Sequence, residues 1–99
     1  MPARPLEIRW LKRALANLDA EAAFIARDNP AAAARVVDTI GRTVELPAQH
    51  PGVGRPGRVE GTRELAVADT PYLIPYRVRN NVVEILRVFH AARRWPRRF

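Results

Sequence analysis

The sequence contains no cysteine. That excludes a disulfide framework and any cysteine-ligated zinc or iron–sulfur centre, and it suits a reducing compartment. No apolar run approaches the ~20 residues that a bilayer span needs. The opening Met1-Pro2-Ala3-Arg4-Pro5 lacks the apolar stretch of a signal peptide. A cytoplasmic location with no membrane partner is expected. There is no internal repeat, no low-complexity segment and no Ser/Gly linker. Histidine occurs twice, as His50 and His90, and lysine once, as Lys12. No metal site and no cofactor is expected.

What is present is a short, basic chain of ordinary hydrophobicity. Its 99 residues allow one small domain, spanning 1–99, and 47% hydrophobic against 27% charged residues argues against disorder. Sixteen arginines and Lys12 face ten acidic residues, for a net charge of +7. The excess is lopsided: residues 1–50 carry seven basic and six acidic side chains, residues 51–99 ten and four. Function that depends on positive charge is therefore expected in the second half, with nucleic acid, a ribosome-like assembly or an acidic protein as partner.

The hydrophobic period changes along the chain. Leu6, Ile8 and Trp10 alternate with Glu7 and Arg9, as in a half-buried strand. From Leu11 the apolar residues Ala14, Leu15, Leu18, Ala22 and Ile25 fall at helical spacing. Asp28-Asn29-Pro30 breaks that helix and starts another, with Asn29 as its cap and Pro30 in its first turn. Ala33, Val36, Val37, Ile40 and Val44 give the second helix its apolar face, and Pro47 is expected to stop it. The short connection predicts an antiparallel helical hairpin. Trp10 and Phe24 are expected in the core.

Residues 50–62 carry four glycines and two prolines and read as a loop bearing Arg55 and Arg58, with His50 on its surface. Alternation returns at Leu65 and Val67. Tyr72, Ile74, Tyr76 and Val78 then share one face of a longer strand, with Leu73, Pro75, Arg77 and Arg79 on the other. Pro75 cannot donate to a ladder, so a bulge or a locally unpaired position is expected there. Asn80-Asn81 suits a two-residue hairpin turn. A last strand, residues 82 to about 90, reads as apolar on both faces, with Val83, Ile85 and Phe89 together on one. Trp95 is expected to pack the tail onto the body. The order is β-α-α-β-β-β, an α+β layer of antiparallel sheet and helical hairpin.

Gly57-Arg58-Val59-Glu60-Gly61-Thr62-Arg63-Glu64-Leu65, Pro71-Tyr72-Leu73-Ile74-Pro75-Tyr76-Arg77-Val78 and Val83-Glu84-Ile85-Leu86-Arg87-Val88-Phe89-His90-Ala91-Ala92-Arg93, in that order, resemble the RelE/ParE superfamily of toxins from type II toxin–antitoxin modules. The resemblance implies that family's fold and a small acidic antitoxin, ParD/RelB-like, that wraps the toxin along the helical hairpin and a sheet edge. Leu15, Leu18, Ile25 and Val36 are the antitoxin-contact candidates it suggests. A +7 surface suits such an acidic partner.

The superfamily acts in two ways. RelE-type members cut mRNA on the ribosome; ParE-type members poison DNA gyrase without cleaving RNA. Metal-free cleavage through the 2′-hydroxyl needs a base, an acid and cations for the phosphorane charge. His90, Arg63 and Arg77 are the catalytic candidates on the nuclease reading. Its departures are Leu73, where such nucleases carry an arginine, Glu64 and Ala66 in place of basic residues, and Ala91 after the strand-end histidine. The gyrase reading is therefore preferred, with Arg79, Arg87, Arg93, Arg94, Arg97 and Arg98 as target contacts. A general nucleic-acid binder and an inactive antitoxin-binding remnant remain alternatives. His90 that merely ends a strand, and arginines that form a solvated face, are the plainer readings of the same residues.

Overall fold

The computed structural model describes residues 4–92 and Trp95. The chain runs β1 (Glu7–Trp10), α1 (Lys12–Ala26), α2 (Pro30–Thr43), α3 (Leu46–Gln49), β2 (Arg55–Pro56), β3 (Arg63–Ala66), β4 (Tyr72–Arg79), β5 (Val82–Ile85) and β6 (Phe89–His90). The sheet order is β1-β5-β4-β3-β2, with β6 also paired to β4. β3, β4 and β5 form an antiparallel meander, and β1 joins β5 in parallel through Ile8 opposite Val83. The expected α+β layering is present. Two short elements were not legible: α3, which uses Pro47 in its only turn, and the two-residue β2 inside the glycine-rich loop.

Local chemistry sets the boundaries. The Asn29 side chain accepts the Ala32 N–H at 3.0 Å and Pro30 follows it in the first turn of α2. Asn29→Ala is expected to cost about 1 kcal/mol, read as a lower urea midpoint. An unchanged midpoint would contradict the cap. Asn80 and Asn81 hold φ of 52° and 60°, the left-handed pair that a two-residue hairpin between Arg79 and Val82 needs.

The helices cover one face of the sheet. Ala14, Ile40 and Val44 meet Leu65, Tyr72, Ile74, Tyr76, Val83 and Ile85 in one buried cluster. Leu18, Ile25 and Val36 pack against its rim, as does Trp10. Phe24 corrects the sequence reading. It is 59% exposed, because it lies about 100° around α1 from Ile25 and off the buried stripe.

The bulge expected at Pro75 is present, and it corrects the reading of the last strand. Tyr76 pairs with Ile85, but Leu73 pairs with Phe89. Three residues, 86–88, thus stand opposite two, 74–75, and the Leu86 N–H is taken by the Pro75 carbonyl at 3.0 Å. The extra residue reverses the side-chain alternation. Val88 enters the core beside Ile85, whereas Phe89 turns to the face away from the helices.

Candidate functional site

Three polar clusters lie along β4. The first sits on the open face. Arg77 pairs with Glu84 across the β4–β5 ladder, and its Nε–H donates to Glu84 Oε1 at 2.7 Å. Arg79 reaches the same oxygen at 3.2 Å. The hydrogen bond from Arg77 outweighs desolvation and holds the Glu84 carboxyl below its ordinary value of 4.5, with the charges of Arg77, Arg79 and Arg9 adding to it. A carboxyl held lower in the folded state than in the unfolded chain stabilises above about pH 4.5. That contribution disappears as pH falls through the folded-state value. The melting-temperature gap between the native chain and Glu84→Gln is therefore expected to shrink from pH 7 to pH 3. A gap that does not change with pH would contradict this pairing.

On the same face, Glu64 is buried with only 3% exposed. It accepts the Arg58 backbone N–H at 2.8 Å and pairs with Arg55 at 3.4 Å. The loop arginines are thereby committed to folding residues 55–64. Beside them Phe89 stacks on Trp95 with ring centroids 4.6 Å apart, and the Arg58 guanidinium lies 3.9 Å from the centre of the Trp95 ring. Trp95 does pack onto the body. Its indole Nε1 is buried and has no hydrogen-bond partner among the described residues.

The second cluster is at Tyr76, on the helix-covered face. Its hydroxyl donates to the Pro51 carbonyl at 2.8 Å and accepts the Gly54 N–H at 2.9 Å. Arg63 opposite it donates to the Gly54 carbonyl at 2.8 Å. Burial pushes the phenol up; the Gly54 bond and Arg63 pull against that shift. The third cluster is at the other end of β4. Tyr72 donates to the buried Glu21 at 3.0 Å and meets the His90 ring edge-on at 5.8 Å. His90 Nδ1 accepts the Ala92 N–H at 3.2 Å.

The catalytic candidates are therefore only partly assembled: Arg63 and Arg77 line one cavity beside Tyr76 and Pro51, whereas His90 lies at the other end of β4. Arg63 and His90 share a face but pair with Tyr76 and Tyr72, four residues or about 13 Å apart. Arg77 is on the opposite face and already bonded to Glu84. Of the target-contact candidates, Arg79 shares Glu84, while Arg87 is held by Asn17 at 2.8 Å; Arg93, Arg94, Arg97 and Arg98 lie outside the described residues. The antitoxin candidates divide. Leu15 is 45% exposed, but Leu18, Ile25 and Val36 rest on the core, because the stripe that marks a helix also marks its buried side. Phe24, expected in the core, and Val37, expected on the apolar face of the second helix, are also exposed on the hairpin and were not among the antitoxin candidates. Glu21 was also missed; the signal was a carboxylate between Leu18 and Ile25 on an apolar stripe, which demands a polar partner from the sheet.

Residues 8–95 match the family model described as the ParE toxin of the type II toxin–antitoxin system parDE. The chain belongs to the ParE toxin family. It is 55% identical over 89 residues to "Putative toxin Y4kP" of Sinorhizobium fredii, covering 90% of this chain and 92% of that protein. It is 37% identical over 87 residues to "Toxin RelE2" of Caulobacter vibrioides, covering 88% and 97%. A chain from the chromosomal ParDE system of P. aeruginosa superposes with a TM-score of 0.81 at 31% identity, over 86% of this ParE-family chain and 95% of the other. A chain of the RelBE2 complex of Mycobacterium tuberculosis shares the fold at a TM-score of 0.64 and 24% identity, over 93% and 98%.

Proposed function

We propose that this ParE-family toxin arrests growth by acting on DNA gyrase without catalysis, and that a small acidic antitoxin neutralises it in the cytoplasm. The observation that carries the reading is the separation of His90, opposite Tyr72, from Arg63 and Arg77 at the other end of β4. General acid–base cleavage needs its groups within hydrogen-bond reach of one phosphodiester. Arg77 is neutralised by Glu84, and His90 spends Nδ1 on a backbone N–H. The ParDE relative supports the same reading. An antitoxin would cover the outer side of the hairpin, where Leu15 and Val37 stay exposed.

The test is biochemical. Purified toxin is added to gyrase, ATP and relaxed plasmid, and separately to translating ribosomes with a labelled mRNA. Blocked supercoiling with intact mRNA is expected, and His90→Ala should behave as the native chain. Cleaved mRNA that His90→Ala reduces by two or more orders of magnitude would establish the nuclease reading instead.

A further inference from the structure

Most arginines of the open face are spent on Glu64 and Glu84. One group of cations is not. A cavity beside the start of α1 is lined by Leu11, Lys12, Arg13, Arg77, Leu86 and Arg87, contributed by three separate parts of the fold. Among the described residues, no carboxylate lies within ion-pairing distance of Lys12, Arg13 or Arg87. The one carboxylate near Arg77, Glu84, is already shared with Arg79.

Arg87 is held in place by two neighbours. Its Nε–H donates to Asn17 Oδ1 at 2.8 Å, and that oxygen also takes the Val88 N–H at 3.2 Å. The guanidinium lies 4.6 Å from the centre of the Phe89 ring. Hydrogen bond and ring fix the guanidinium of a residue that lines the cavity. Burial, reinforced by the charge of Arg13, works against the protonated form of Arg87. An anion between these side chains would relieve both effects. The first turn of α1 adds to the field, since it has no acidic residue and no side-chain cap.

We propose that Lys12, Arg13 and Arg87 form a phosphate-binding site. Three cations lining one cavity, two from the first turn of α1 and one from the segment after β5, suit a tetrahedral group with several acceptor oxygens better than a flat carboxylate, which a single arginine satisfies with two parallel bonds. The source is either a polynucleotide backbone or a free phosphate, and the test separates them. The site does not depend on whether gyrase or the ribosome is the target.

Lys12 and Arg13 are exposed, so Lys12→Gln/Arg13→Gln preserves the fold. The control is Arg27→Gln/Arg35→Gln, the same change in charge about 20 Å away at the far end of the hairpin. Binding of a fluorescent 20-base-pair duplex is read by anisotropy across a salt series, and binding of inorganic phosphate by NMR shifts of the Arg87 side chain. For a backbone site, the first pair should weaken the duplex at least tenfold and lower the salt slope by about two; the control should change affinity less than twofold. Loss of the phosphate shifts alone, with duplex binding untouched, would assign the site to a free phosphate. Equal losses from both pairs would reduce the effect to net charge and overturn the proposal. So would unchanged binding of both probes.

Discussion

Replacing Tyr76 by alanine is expected to remove about 3–5 kcal/mol of stability, the usual scale for truncating a buried aromatic side chain. Tyr76 is fully buried in the centre of the sheet, and its hydroxyl ties the loop before β2 to β4 through Pro51 and Gly54. Tyr76→Phe separates the two roles. It keeps the ring and leaves the Pro51 carbonyl and Gly54 N–H without that partner, for a loss of about 1–3 kcal/mol. Gly54→Ala attacks the same junction from the other side. A Cβ there would stand 2.6 Å from the Tyr76 ring and 2.9 Å from the Glu64 carbonyl oxygen, and the backbone contact has little freedom to yield. Urea unfolding of the three variants checks the order. Near-native midpoints for both Tyr76→Phe and Gly54→Ala would show that the loop is not anchored here.

The second large effect concerns the antitoxin. Leu15→Asp is expected to weaken its binding at least tenfold, about 1.4 kcal/mol, while leaving the melting temperature nearly unchanged. Leu15 is 45% exposed on α1, a large apolar side chain that a partner could bury. Leu18→Ala is the contrast: it should lower stability by about 1–2 kcal/mol through lost core contact. Titration calorimetry with the cognate antitoxin, together with thermal melts, reads both. Antitoxin affinity indifferent to Leu15→Asp would move the interface off this helix.

The two variants mark where the sequence was readable. Periodicity found the helices and their buried stripe, Asn29 and Pro30 located the start of α2, and Asn80-Asn81 located the hairpin, because each depends on residues close in sequence. Pro75 announced a bulge for the same reason. The consequence of the bulge was not legible. One extra residue between Ile85 and Phe89 decides that Val88 points inward and Phe89 outward, and that insertion belongs to the pairing of two strands. The stack of Phe89, Trp95 and Arg58 follows from it. The arginines were visible as a charge excess, but their partners were not. Glu64 and Glu84 select among them through sheet register, so that Arg55, Arg58, Arg77 and Arg79 are ion-paired while, among the described residues, Lys12, Arg13 and Arg87 have no carboxylate partner. The same register decides that Arg77 and His90 point to opposite faces.

Pulse incorporation of labelled thymidine and labelled methionine, after inducing this chain alone in bacteria, tests the gyrase reading most directly. An early fall in thymidine while methionine incorporation persists is the predicted result, with His90→Ala equally toxic. An early fall in methionine, relieved by His90→Ala, would contradict it and place the target on the ribosome.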